Sequence, residues 1–388
     1  MTNLWKYDIS LLVITRFYNI LTPFLKKNRA LIIYGPRRVG KTTLLQNFLK
    51  TTSLKYRLDS GDNIRMQDLL GSQDFKRILE YTKGYELIVI DEAQLIPNIG
   101  MGIKILVDQV PDLKVIATGS SSFDLANQVG EPLTGRKTTL TLYPIAQLEL
   151  LNEYNKYELK QNLEDYLIFG SYPQVLTAQS REEKIQILEE LVNSYIFKDI
   201  LALQQVKGSK ILLDLLKLLA FQVGNEVSLN ELAMNLSIDV KTVGRYLDLL
   251  EKAFVVIRLT AFSRNLRSEV VSTSKYFFYD NGIRNAVISQ FNTLDLRNDI
   301  GSLWENFLMI ERMKKRSYKN IHGYSYFWRT YEQKEIDLIE EREGKIFPYE
   351  FKWSIKEKVL PPKEWELAYP KAEDFVIITP DNYLDFLA

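Results

Sequence analysis

From Ala30 onward the chain alternates short, unbroken apolar runs with stretches of helical spacing. Ala30–Tyr34, Leu54–Leu58, Leu87–Ile90 and Lys114–Ala117 read as strands, the first closed by Gly35-Pro36. A run that is apolar at every position, rather than at alternate ones, suits a strand covered on both faces. Such strands alternating with helices predict a parallel α/β sheet. Upstream, the first 30 residues have amphipathic helical spacing that ends near Thr22-Pro23. After Tyr143-Pro144 the texture changes, and residues 145–220 carry Leu, Glu, Lys and Tyr at helical spacing with no strand-like run. From about residue 275 strands return at Tyr276–Tyr279, Gly323–Arg329, Glu335–Glu340 and Ile346–Lys352. The pattern divides the chain into 1–144, 145–220, 221–272 and 273–388.

The third part has the spacing of a helix–turn–helix. Ser228 caps a helix to Leu236, Ser237-Ile238-Asp239 turns the chain, and Asp239 caps a second helix. Val240, Val243, Leu247 and Leu250 fall on the core face. Lys241, Arg245 and Lys252 fall on another face, interrupted by Asp248, and are candidates for nucleic-acid contact. Val255–Leu259 followed by Ser263–Arg267, with Arg258, Arg264 and Arg267, has the look of a wing hairpin. The same unit also serves proteins that use a winged helix only for protein contacts.

Composition narrows the chemistry. With 46% hydrophobic and 12% aromatic residues, the 388-residue chain can bury real cores. It has no cysteine and one histidine, His322. Disulfides, thiolate nucleophiles, cysteine zinc sites and HExxH sites are excluded, and a Ser-His-Asp triad is disfavoured. Catalysis must rest on carboxylates, Lys, Arg, hydroxyls, backbone amides and a hard cation such as Mg²⁺. The net charge of +1 argues against a wholly basic nucleic-acid coat. With no leader-like start and no apolar run near about 18 residues, a cytoplasmic protein without a membrane span is expected.

Gly35-Pro36-Arg37-Arg38-Val39-Gly40-Lys41-Thr42 fits the phosphate-loop pattern, between a strand and the helical run Thr42–Lys50. Loop N–H groups, Thr43 included, would wrap the phosphates of ATP or ADP at a helix N-terminus. Lys41 would reach the β- and γ-phosphates and Thr42 would bind Mg²⁺. Asp91-Glu92 closes a neighbouring strand: Asp91 is a second candidate Mg²⁺ ligand and Glu92 the candidate base that polarises the attacking water. Thr118-Gly119-Ser120-Ser121 ends the next strand, and Thr118 or Ser120 is a candidate for sensing the γ-phosphate. The segment Arg29–Arg57 holds seven Lys/Arg and no acid.

Gly35–Thr42, Ile90-Asp91-Glu92-Ala93-Gln94, Thr118–Ser121 and Leu133-Thr134-Gly135-Arg136 with Leu142-Tyr143-Pro144 resemble the AAA+ superfamily ATPases common in archaea and bacteria. In those proteins a C-terminal domain of unknown function follows the ATPase. Phe169-Gly170-Ser171-Tyr172-Pro173, Tyr279–Arg284 and Trp304-Glu305-Asn306 are similar to its recurring segments. The resemblance implies an ATPase core over 1–144, a helical lid over 145–220 and a winged helix over 221–272. It also implies that Arg136 lies where such ATPases carry an arginine finger, acting in cis or in trans. No lid arginine matches a second sensor.

In the last part, Asp337 and Glu350 are 13 residues apart around Gly344, so a hairpin would bring them together. Alternation puts Glu350 and Lys352 on one face. Two carboxylates and a lysine can hold Mg²⁺ for phosphodiester cleavage, and the arrangement resembles restriction-endonuclease-like cores. Glu305 could add a carboxylate. The alternative is a solvated amphipathic hairpin. His322 reads as structural, and Tyr324, Tyr326, Phe327 and Trp328 read as a core strand. The expectation is an Mg²⁺-dependent ATPase whose nucleotide state is coupled to DNA engagement. The alternatives are a nucleotide-switched nucleic-acid-binding or nuclease module, and a signalling or scaffold ATPase with protein partners only. A homo-oligomer remains open in all three.

Overall fold

The computed structural model describes residues 14–119, 132–193, 209–263, 273–355 and 358–388. It divides into two compact units. One holds Arg16–Pro144 with Lys252–Phe254; the other holds Ile145–Glu251 and Val255–Ala388.

The first unit is built on a five-stranded sheet of order β2-β3-β4-β1-β5. The strands are β1 (Ala30–Tyr34), β2 (Tyr56–Ser60), β3 (Leu87–Asp91), β4 (Lys114–Gly119) and β5 (Lys137–Thr141), and every pairing is parallel. Helix α1 (Lys41–Thr51) follows β1; α2 (Ile64–Gly71) and α3 (Phe75–Thr82) precede β3, and α4 (Ile99–Gln109) precedes β4. Residues of β1 are buried throughout, as an all-apolar run requires. Two differences from the sequence pattern have physical reasons. The second strand lies two residues later than Leu54–Leu58, because the edge strand β2 is only partly buried and its pattern is weak. The edge strand β5, Lys-Thr-Thr-Leu-Thr, has only Leu140 buried and left no apolar run to read.

In the second unit, α5 (Gln147–Leu150), α6 (Lys156–Gln161), α7 (Leu163–Phe169), α8 (Pro173–Thr177), α9 (Arg181–Leu191) and α10 (Ser209–Phe221) fill the helical region. The expected pair follows as α11 (Leu229–Leu236) and α12 (Val240–Lys252). Ser228 Oγ accepts from Glu231 N at 3.3 Å, and Asp239 Oδ1 from Thr242 N at 2.8 Å, so both caps form. Val243, Leu247 and Leu250 are buried, but Val240, expected inside, is 39% exposed at the first turn.

A seven-stranded mixed sheet of order β12-β11-β10-β9-β7-β8-β6 completes the unit. Its strands are β6 (Glu226–Val227), β7 (Val256–Ala261), β8 (Ser274–Phe278), β9 (Tyr324–Arg329), β10 (Glu335–Arg342), β11 (Lys345–Phe351) and β12 (Val376–Ile378). Strand β7, expected to pair within a wing, pairs antiparallel with β8 and parallel with β9. The expected boundary at 272/273 therefore falls inside one sheet. Arg264 and Arg267 lie outside the described residues, as do 1–13. Helices α13 (Asn281–Val287), α14 (Ile300–Tyr318), α15 (Lys363–Ala368) and α16 (Tyr383–Leu387) complete the elements. Trp328 of β9 packs in an apolar cluster with Phe262, Ile336, Ile339 and Trp365, so the aromatic run is core strand as expected, with Tyr324 exposed at its end.

The recurring segments 169–173, 279–284 and 304–306 meet as one polar knot. Ser171 N donates to Asp280 Oδ2 at 2.7 Å, and Asn306 Nδ2 donates to Asn281 Oδ1 at 2.7 Å. A Cβ on Gly282 would lie 2.0 Å from Phe169 O, so the backbones touch where only glycine fits.

Candidate functional sites

The phosphate loop leaves β1 at Gly35. A Cβ there would sit 2.0 Å from Leu142 O, so glycine lets the loop cross the end of β5. Gly40 adopts φ 94° at the start of α1, the left-handed turn that aims the helix N-terminus into the loop. Pro36 and Val39 are buried, while Arg37, Arg38, Thr42 and Thr43 are exposed. Lys41 Nζ donates to Gly35 O at 2.8 Å and Pro36 O at 2.7 Å, drawing the loop closed around the ammonium. Arg16, which the sequence pattern gave no reason to single out, braces the loop from behind. Its guanidinium donates to Val39 O and, at 2.7 Å, to Tyr143 O.

The acidic pair arrives from β3, one strand away. Thr42 Oγ1 donates to Asp91 Oδ2 at 2.8 Å, so the two expected Mg²⁺ ligands touch. Thr118 sits on β4, between β3 and β1, and is fully buried. Its hydroxyl donates to Asp91 Oδ1 and accepts from Glu92 N at 3.2 Å. The hydroxyl is thus engaged with the acidic pair. Glu92 has φ 49°, a left-handed conformation unusual for a glutamate, and its carboxylate accepts from Gln94 Nε2. Ser120 lies outside the described residues.

Arg136 is placed differently. Its carbonyl accepts from Ala30 N at 2.9 Å, at the N-terminal edge of the sheet. The phosphate loop leaves the opposite edge, a five-residue strand or about 16 Å away. Arg136 Nε instead pairs with Asp108 Oδ1 at 2.6 Å. In this register Arg136 stands at the end of the sheet away from the phosphate loop.

In the second unit the hairpin forms as expected, with Glu343 and Gly344 both at positive φ between β10 and β11. Asp337 Oδ2 accepts from Phe351 N at 2.7 Å, which places Asp337 between Glu350 and Lys352. Lys352 Nζ pairs with Glu350 Oε1 at 2.6 Å. Glu350 is buried, and its Oε2 has no hydrogen bond of ordinary geometry. Glu305 of α14 joins: oxygens of Glu305, Glu335 and Asp337 lie within 4.8 Å of one another. Lys275 of β8, which sequence reasoning missed, donates to Glu305 Oε1 at 3.0 Å and to Glu335 Oε1. No local pattern marks it, since its partners lie 30 and 60 residues downstream. Burial pushes Glu305 up to about 8 despite Lys275; burial and then Asp337 push Glu350 up to about 7. Burial raises Asp337 as well. For Lys275 burial works downward, but the surrounding carboxylates outweigh it and hold the ammonium charged.

Lys241, Arg245 and Lys252 are all exposed on α12. Among the described residues no helix is long and apolar enough to cross a membrane.

Residues 27–151 match the family described as "AAA domain". This segment is similar to AAA-type ATPase domains, and its parallel sheet and phosphate loop fit that likeness. Residues 160–294 and 300–383 each match a family described only as a domain of unknown function. That match and the loop geometry above support nucleotide binding by this segment. An uncharacterised protein of Mycobacterium tuberculosis is 27% identical over 325 residues, covering 83% of this chain and 69% of its own length. One from Haemophilus influenzae is 25% identical, covering 84% and 83%. Among solved structures, a Walker-type ATPase of Pyrococcus abyssi aligns with TM-score 0.46 and 15% identity over 68% of this chain and 91% of its own.

Proposed function

We propose that the protein hydrolyses ATP with Mg²⁺ and that nucleotide state is coupled to DNA engagement by the second unit. The observation that carries the ATPase reading is the 2.8 Å contact between Thr42 Oγ1 and Asp91 Oδ2, beside a lysine-closed phosphate loop. Hydroxyl and carboxylate oxygens are the hard donors Mg²⁺ takes, so the residues fit the ion. Mg²⁺ bound there would neutralise phosphate charge. Lys41 would exchange loop carbonyls for β- and γ-phosphate oxygens, with the N–H groups of residues 35–43 around them. Glu92, held by Gln94 and by its backbone bond to Thr118, would orient and deprotonate water. Arg136 would act only on the nucleotide of a neighbouring copy.

Exposed Lys241, Arg245 and Lys252 would meet DNA phosphates. Asp337 and Glu350, with Lys352 beside them, form the second candidate Mg²⁺ site, and the partnerless Glu350 Oε2 suits a cation. Phosphate release tests the first reading: Glu92→Gln should retain ATP binding and lose about 10²–10⁴ in rate. Equal rates would remove Glu92 as the base. Gel shifts across salt test the second, with a steep slope expected and no binding at low salt counting against it.

A further inference from the structure

Four carboxylates converge in the second unit: Glu305, Glu335, Asp337 and Glu350. They face two ammonium groups, Lys275 and Lys352. The charges are not spread evenly. Lys275 is 1% exposed, lies between Glu305 and Glu335, and has its ammonium 5.4 Å from the Phe327 ring centroid. Arg329 Nη1 adds a second cation to Glu335 at 3.7 Å. On the other side, Asp337 accepts from Phe351 N and feels Lys275 as well as Lys352, while Glu350 pairs with Lys352 through Oε1 and its Oε2 has no hydrogen bond of ordinary geometry.

We propose that Lys275 is a resident cation that fills the Glu305–Glu335 side of the cluster, confining the site to one divalent cation on the Asp337–Glu350 side. This rests on the cation-site reading above and goes beyond it. The three acids closest together, Glu305, Glu335 and Asp337, would by spacing alone be taken as the metal cage. The ammonium already stands against two of them. A metal placed there would face a fixed positive charge at contact range, where like charges repel strongly in a dry site. Glu335 is then a counter-ion of Lys275 and not a metal ligand. The resident charge also keeps the carboxylates together when no metal is bound.

The test is titration of the full-length protein with Mn²⁺, without nucleotide, by calorimetry, together with thermal melts with and without Mn²⁺. Asp337→Asn should lower affinity at this site by about tenfold or more, whereas Glu335→Gln should change it by less than about threefold. Lys275→Met should melt earlier than wild type without metal, regain stability with Mn²⁺, and bind a second ion or bind about tenfold more tightly. Lys275→Arg should behave as wild type. Should Lys275→Met not fold, the Glu335→Gln comparison decides alone. A loss in Glu335→Gln equal to that in Asp337→Asn overturns the role of Lys275 and leaves the cation site standing. Identical binding by Asp337→Asn and wild type removes the cation site itself, and this proposal with it.

Discussion

Thr118→Val removes one oxygen and almost no volume. The hydroxyl is fully buried between Asp91 Oδ1 and Glu92 N. Deleting it loses a hydrogen bond to a carboxylate, worth about 1.5–3 kcal/mol. It also leaves Glu92 N–H with only the Asp91 Oδ1 contact at 3.2 Å. Glu92 needs that support more than most residues, because its left-handed backbone is held in place by its surroundings. If about 1–2 kcal/mol of the loss appears as misplacement of the Glu92 carboxylate, turnover falls by about 5–30-fold. Nucleotide affinity should change little, since Thr118 does not belong to the phosphate loop. Phosphate release at saturating ATP, binding of a fluorescent ATP analogue and urea melts would measure the three quantities separately. Thr118→Ser keeps the hydroxyl and should stay near wild type. A folded Thr118→Val that binds ATP and hydrolyses it within about twofold of wild type would refute the idea that this hydroxyl positions the base.

Other perturbations have equally direct readouts. Arg16→Met should cost about 1–3 kcal/mol of stability by stripping the Val39 and Tyr143 carbonyls of a donor, and ATP affinity should fall about tenfold as the loop loosens; an unchanged Kd would count against bracing. Arg312→Met should destabilise by about 1–3 kcal/mol, because fully buried Glu340 loses a two-pronged partner at 2.8 and 2.9 Å and keeps only Arg342 at 3.1 Å and Arg316 at 3.8 Å. Adding Glu340→Leu should recover part of that loss in chemical denaturation, and no recovery would argue against an under-compensated buried charge. At Asp299, burial opposes ionisation, but bonds from Arg297 and Arg284 outweigh it and hold the carboxyl at about 2, against 3.8 ordinarily. A depressed acid stabilises above its unfolded value and loses that contribution as pH falls through the folded one. About 2 kcal/mol should therefore disappear between about pH 4 and pH 2, and Asp299→Asn should flatten that part of the curve; parallel curves would sink the assignment.

How much of this the sequence carried depended on the range of each interaction. Strands β1, β3 and β4 were readable because complete burial forces an apolar residue at every position. The phosphate loop was readable because glycine placement and a following helix are local requirements. The Asp337/Glu350 hairpin was readable because a two-residue turn fixes register over short range. Edge strand β5 was not, since one buried leucine makes no pattern. The partner of β7 was not, because β9 lies more than 60 residues onward and nothing local distinguishes it from a wing strand. Arg136 was singled out by its motif, but only the register with Ala30 shows which edge of the sheet it occupies. Lys275 is the sharpest case: within Ser274–Phe278 it looks like a solvent-facing lysine, yet three acids from two other elements enclose it.

Helix α14 explains how those distant groups are held in place. Glu305, Arg312 and Arg316 are seven and four residues apart, which puts them on one stripe of a helix. That stripe meets Lys275 of β8 and Glu340 of β10. A different face carries Glu311 and Lys314, whose side chains pair at 2.6 Å; Glu311 also takes Gln147 N at 2.6 Å, and Lys314 donates to Ser171 Oγ at 3.3 Å. Rotating the helix by one residue, about 100°, would break all of these at once and leave several charges buried without partners. An apolar helix surface tolerates such slips far better, because one leucine can replace another. The polar contacts therefore specify the rotation of α14, and that rotation sets where Glu305 stands against Lys275. Arg312→Met should consequently shift metal affinity at the Asp337–Glu350 site as well as stability, although Arg312 touches none of its carboxylates.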